Sequence, residues 1–432
     1  MFESIASLQE ESWLIWFKET GRMGSPFPVI SSWELDGVID ESALGDALYA
    51  LALRHEALRR NFPCLLSDPT KAWVSSEVVV PLSVVESSDC KEVTRRDLLK
   101  SLEKPFDVRM APLWRVVLVL DGNQHSYLGI SMDHTICDGL SIELFLRELS
   151  IAYTSVRAGG PVGLGPAPIA YSQLARQQRL DFIGPWGHER RAFWEECVRA
   201  QGKYPPECHL ARPKSAREKV ISCSRSIAVH VGTKGMRLEE TRRQWRVTRF
   251  ALLASAVLAA MGDLLEESRV GLTLDFHGRL LPGAATTFGL FSHGAPLYVD
   301  LIGRSDARAH AVAVMESLVK ILKYGLPLKA SGRQWGVDLE QSDGLPSVYV
   351  KINSDKRATT FQFDRLSARL CKLRPPNSER SVSSRSQLDL EIVESLQGLS
   401  IDAHFDETFY SVGIVHELLR RISERIGGLV VG

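Results

Sequence analysis

Cysteines at metal-binding or redox spacing are missing from this chain. Its seven cysteines, Cys64, Cys90, Cys137, Cys197, Cys208, Cys223 and Cys371, are odd in number and scattered, with no C-x-x-C pair, which argues against a disulfide framework or a zinc site. A surplus of charge is missing too. Lys plus Arg balance Asp plus Glu at 52 each, so no global electrostatic footprint marks the chain for nucleic acid or an anionic membrane surface. The most basic stretches, Arg212 to Lys219 and Arg237 to Arg249, carry few aromatics and include acidic residues. They read as solvated surface, with an acidic partner protein as the alternative. Met1-Phe-Glu-Ser opens acidic, without the basic n-region and apolar run of a secretory signal, and the longest apolar run, Phe250 to Met261, is too short to span a bilayer. The cytoplasm is the expected compartment.

What is present is ordinary globular composition, 44% hydrophobic and 24% charged over 432 residues, a length that points to two lobes rather than one. Strand-like and helix-like runs alternate without a repeat, as in a mixed α/β protein. Asp40 is a plausible N-cap for a helix to Arg60, with Leu44, Leu48, Leu51 and Leu58 at helical spacing. Two β-rich runs, Leu113 to Leu120 and Ser126 to Met132, flank the turn signal Asp121-Gly-Asn. Apolar positions from Ile142 to Tyr153 then fit one helix face. The Gly- and Pro-rich run from Ala158 to Pro168 places a boundary between residues 1–160 and 161–432. Beyond it, Thr248 caps a helix to about Leu265. Strands are expected at Val270 to Phe276, Pro296 to Leu301, Ser347 to Ile352, Leu388 to Val393 and Leu399 to Phe405, a mobile loop at Pro375 to Ser386, and a closing helix at Val412 to Ile426.

The segment Ser131-Met-Asp-His-Thr-Ile-Cys-Asp-Gly-Leu-Ser141 is a strand-to-helix loop. His134, at the end of a buried strand, is placed to act as a general base on an amine or hydroxyl attacking a carbonyl. Gly139 lets a ligand approach the backbone and turns an amide N–H toward a developing oxyanion. Alone, H-x-x-x-D-G is a pattern that chance supplies, and a histidine after a strand is commonly structural. Cys137 is more readily a small buried hydrophobe than a nucleophile, since no neighbouring base would lower its pKa. Ser141 fits a helix-terminal role better than a nucleophilic one.

With its surroundings the segment resembles the condensation-domain family of nonribosomal peptide synthetases, in the chloramphenicol-acetyltransferase-like, coenzyme A-dependent acyltransferase superfamily, whose hallmark is H-H-x-x-x-D-G. Ser7-Leu-Gln-Glu-Glu-Ser-Trp13 is a loose form of the family's opening motif, and Arg54-His-Glu-Ala-Leu-Arg-Arg-Asn-Phe62 is close to its R-H-E-x-L-R-T-x-F. Pro112-Leu-Trp-Arg115, Tyr171-Ser-Gln-Leu-Ala175, Gly278-Arg279 and Phe288-Gly-Leu-Phe-Ser-His-Gly294 follow in family order. The resemblance implies two similar α/β lobes forming a V-shaped pseudo-dimer around a central tunnel, with His134 near its middle. It implies that Asp138 pairs with Arg279 to hold the loop, that Asp133 stands where the first histidine of the doublet supports it, and that Ser292, His293 and Cys137 border the substrate tunnel. His293 replaces a common asparagine, and the family's R-D-x-S-x-N-P is not recognisable before Pro346.

The implied activity is that of a free-standing, monomeric enzyme that binds no cofactor or metal of its own. It would move an acyl or aminoacyl group from the phosphopantetheine thioester of an acyl or peptidyl carrier protein to an amine or hydroxyl, giving an amide or ester in natural-product biosynthesis. Transfer from acyl-coenzyme A, and a degenerate member serving as a carrier-protein docking platform, are the alternatives.

Overall fold

A computed structural model describes residues 2–26, 28–87, 91–121, 125–201, 224–231, 235–301, 306–336, 348–354, 359–371, 373, 388–395, 398–407 and 410–429. In chain order the elements are β1 (Phe2–Ile5), α1 (Leu8–Thr20), β2 (Val29–Leu35), α2 (Glu41–Arg54), β3 (Arg60–Asn61), β4 (Lys71–Val74), β5 (Leu82–Ser87), α3 (Lys91–Leu102), β6 (Trp114–Asp121), β7 (His125–Met132), α4 (Gly139–Arg157), α5 (Tyr171–Ile183) and α6 (Pro185–Gln201). They continue as β8 (Ser224–Val231), α7 (Gly235–Trp245), α8 (Arg249–Leu265), β9 (Arg269–Phe276), β10 (His293–Asp300), α9 (Ala307–Tyr324), α10 (Leu328–Trp335), β11 (Val348–Ser354), β12 (Thr360–Phe363), β13 (Leu366–Leu370), β14 (Leu388–Ser395), β15 (Gly398–Asp406) and α11 (Val412–Gly428). The turn residues 122–124, the basic stretch 212–219, Pro346 and the loop 375–386 lie outside the described residues, as do Cys90, Cys208 and Cys223.

The chain forms two compact units, residues 1–186 with 277–292 and 357–375, and residues 187–276 with 293–356 and 376–432. In the first unit a six-stranded sheet has the order β12-β13-β2-β7-β6-β5. Only the β5–β6 pair in it is parallel. β7 is buried nearly end to end, because helices cover both sheet faces. On one face Leu98 and Leu102 of α3 come so close that a Cβ on Gly129 would lie 2.7 Å from Leu98 Cδ1. On the other, Leu44, Leu48, Phe145 and Leu149 of α2 and α4 pack with Trp114, Leu128 and Ile130 into the main core.

A second six-stranded sheet, β10-β9-β11-β14-β15-β8, forms the other unit. Its core helix is α8, capped by Thr248, whose hydroxyl accepts from Ala251 N, and buried from Ala251 to Gly262. That burial, rather than a membrane, accounts for its apolar sequence. Among the described residues no single helix is long and apolar enough to cross a bilayer.

Two expectations are corrected. The helix begun at Asp40 ends at Arg54, followed by a 3-10 turn at Glu56–Arg59 and β3. His55 is extended (φ −103°, ψ 105°), which sends its ring to Glu148, 2.7 Å away, and lets Arg60 reach Glu10. The units are also not separated by one cut at 160/161. The Gly- and Pro-rich run is tied to the first unit by Arg54, whose guanidinium donates to the Leu164, Gly165 and Pro166 carbonyls at 3.0, 3.3 and 2.7 Å. α5 follows it there through Ser172 to Glu56 and Arg179 to Glu11.

Candidate active site

The site loop starts where β7 ends. Asp133 N donates to Leu113 O at 2.8 Å, and Ile136 N closes a turn onto Asp133 O at 3.1 Å. The Asp133 side chain is fully buried. Its Oδ1 accepts from Thr135 N and Oγ1 at 2.9 and 2.7 Å, and its Oδ2 from Ser25 N at 2.8 Å. The carboxyl thus joins the loop to the segment between α1 and β2. Gly24 is required there, since a Cβ would lie 2.2 Å from Phe106 O. Burial pushes the Asp133 carboxyl above its ordinary pKa, against the opposing pull of the Thr135 and Ser25 hydrogen bonds and of His134.

Asp138 fixes the other end. It is the N-cap of α4, and its Oδ1 accepts from Ser141 N at 2.8 Å. The same oxygen receives Arg279 Nη2 at 2.8 Å, and Oδ2 receives Phe291 N and Ser292 N at 3.0 and 3.3 Å. Arg279 also donates through Nη1 to the Ala284 and Thr287 carbonyls, at 2.6 and 2.7 Å, and through Nη2 to Ser141 Oγ at 2.7 Å. Its guanidinium lies 4.2 Å from the Phe291 ring centroid. Ser141 is therefore not the cap but a strut in the first turn, donating to Gly289 O at 2.6 Å and accepting from Gly289 N at 3.0 Å. Gly289 passes so close to Tyr171 that a Cβ would lie 2.1 Å from its ring.

Between Ser131 and Gly139, only His134 and Gly139 keep solvent exposure. His134 Nδ1 is buried without a hydrogen-bond partner. The ring stacks on Trp13, with centroids 5.4 Å apart and an interplanar angle of 28°. Cys137 does not border an opening, contrary to expectation. It is wholly buried in the main core, its Sγ is 3.3 Å from Asp138 O, and burial, then the Asp138 charge, push its thiol well above the usual range. Ser292 reaches the loop through its backbone, as above. His293 begins β10 in the second unit, edge-on to Phe276 at 5.2 Å. Among the described residues no group of three or more His, Cys, Asp or Glu is placed to hold a metal.

The two N-terminal motifs, at residues 7–13 and 54–62, take their roles from buried contacts. Ser7 and Glu10 form a capping box on α1. Glu10 and Arg60, both fully buried, meet through two hydrogen bonds of 2.9 and 2.8 Å. Burial outweighs the Arg60 attraction and raises the Glu10 pKa. Glu11 pairs with Arg179 at 2.8 Å, and Gln9 Nε2 donates to Phe291 O at 2.9 Å. A run of polar residues opening a helix, each needing a buried partner, was the signal that α1 is locked in place.

A family model for the condensation domain matches residues 6–429, and the chain belongs to that family. The family is associated with amide and ester bond formation in nonribosomal peptide synthesis, and some of its relatives, X-domains among them, are non-catalytic. The chain is similar to phosphinothricin tripeptide synthetase PhsC of Streptomyces viridochromogenes, 29% identical over 210 residues that cover 47% of this chain and 19% of that protein. It spans about a fifth or less of the length of the curated relatives it matches. Its fold is that of SgcC5 from Streptomyces globisporus, with a TM-score of 0.74 at 19% identity over 94% of this chain and 93% of that one. The X-domain solved in complex with OxyB from teicoplanin biosynthesis aligns with a TM-score of 0.80 at 16% identity, over 100% of this chain and 94% of that one.

Proposed function

We propose that this chain joins an acyl or aminoacyl group, delivered as a phosphopantetheine thioester on a carrier protein, to an amine or hydroxyl acceptor. His134 Nε2 takes the acceptor's proton as its nitrogen or oxygen attacks the thioester carbonyl. The oxyanion of the tetrahedral adduct meets the amide N–H at Gly139, at the positive end of α4. Collapse expels the thiolate, which receives the proton from the imidazolium, so amide or ester and free thiol leave together. Asp133, Asp138 and Arg279 hold the loop, and the phosphopantetheine arm arrives with the donor.

One observation carries this reading: along a loop pinned by buried hydrogen bonds, exposure is confined to the imidazole and to the glycine of the helix start. The test compares wild type with His134→Ala on carrier-bound aminoacyl thioesters and on the matching coenzyme A thioesters. The expected loss is about 10²- to 10⁴-fold in kcat with an unchanged thermal transition. A fully active His134→Ala protein removes the mechanism, exclusive use of coenzyme A replaces the donor, and an inactive wild type that binds carrier protein tightly makes the chain a docking platform.

A further inference from the structure

The orientation of a working imidazole is usually set by a hydrogen bond at the nitrogen that does no chemistry. His134 lacks that device, because its buried Nδ1 has no partner. What lies against the ring instead is the Trp13 indole, near-parallel at 5.4 Å. The indole is itself held, edge-to-face against Trp16 at 5.5 Å and 88° and tilted against Phe17 at 5.6 Å. All three rings project from α1, which the buried Glu10–Arg60 and Glu11–Arg179 pairs and the Gln9–Phe291 hydrogen bond fix within the first unit. Rigidity therefore runs from those pairs through the helix to the face of the imidazole.

We propose that Trp13 is the positioning residue for His134, its indole face standing in for the missing hydrogen bond and holding Nε2 toward the attacking nitrogen or oxygen of the acceptor. This rests on the acyl-transfer reading above. Stacking of this kind biases ring orientation by about two- to tenfold, and small misplacements of a reacting group cost up to about 10²-fold in rate. Trp13→Leu is therefore expected to lower kcat about tenfold with KM changed less than about twofold, and Trp13→Phe to restore most of it.

The direct readout is the ring-current shift. In wild type carrying labelled histidine, the carbon-bound ring protons of His134, assigned by their disappearance in His134→Gln, should resonate upfield. They should move to ordinary positions in Trp13→Leu and return part of the way in Trp13→Phe. Unmoved His134 resonances in Trp13→Leu overturn the proposal, whatever the activity. So does a shift that moves while kcat stays at the wild-type value. If wild type turns over no thioester, the functional reading fails, and the ring shift still decides whether Trp13 orients the imidazole.

Discussion

Replacing Arg279 by alanine isolates the architectural half of the site. Its side chain is 5% exposed and that of Asp138 2%, so the substitution strands a carboxylate with almost no access to water. Removing one partner of such a pair costs about 3–5 kcal/mol. Ser141 N, Phe291 N and Ser292 N still donate to Asp138, which argues for the lower half of that range. The Ala284 and Thr287 carbonyls lose a donor as well, at roughly 1 kcal/mol each. For a unit of this size each kcal/mol shifts the midpoint by about 2–4 °C, so a total loss of about 5–6 kcal/mol should make Arg279→Ala melt about 10–24 °C below wild type by calorimetry. The double variant with Asp138→Ala should melt above the sum of the two single losses, because it leaves no lone buried charge. An Arg279→Ala protein that melts within about 2 °C of wild type, where about 10 °C or more is expected, and has lost its turnover would refute the reasoning and place the guanidinium on the substrate.

Asp133→Ala leaves the Ser25 and Thr135 amides buried without an acceptor and should destabilise by about 2–4 kcal/mol in urea titration. Because its folded pKa is raised by burial, Asp133 stabilises fully below its unfolded pKa and loses that contribution as pH rises through the folded value. Asp133→Asn should flatten that slope. Iodoacetamide on the folded protein should leave Cys137 unmodified in peptide mapping, given its burial and raised pKa, and early modification of Cys137 would contradict both. For Glu148, burial alone would raise the pKa, but hydrogen bonds from His55 and then the Arg54 pair outweigh it and leave it lowered. Its stabilisation is present above the unfolded pKa and lost as pH falls through the folded one, so Glu148→Gln should lose less stability than wild type between about pH 5 and 3.

Local elements were legible wherever local physics decides them. The β6–β7 hairpin strands, the capped α8, β14, β15 and α11 lie within a few residues of their expected positions because alternation, caps and helical spacing act over short distances. α2 was read too long, since Leu58 keeps the helical spacing while a long-range partner, Glu148, pulls His55 out of it. The β12–β13 hairpin was not read at all. β13 joins the sheet through Leu35↔Ala368, a register that no local pattern encodes. At the site, the strand-to-helix loop placed His134 and Gly139, and the resemblance placed the Asp138–Arg279 contact. Trp13 was quoted within a motif but given no part, because stacking leaves no mark in residue spacing. Cys137 is the small buried hydrophobe that its residue type suggested, and only its placement beside the tunnel, implied by the resemblance, disagrees, because being beside a functional residue in sequence does not decide which way a side chain points.

The same hairpin has a consequence for synthesis. β2 pairs with β7 on one side and with β13 on the other, yet β13 emerges from the ribosome long after β7. At about 5–20 residues per second the wait is roughly 10 to 50 s, during which one flank of β2 has only water for its amides and carbonyls. A nascent chain of this protein therefore carries an open sheet edge through most of its translation, the state in which strands recruit foreign partners, and a chaperone that shields that edge would raise its yield of folded protein.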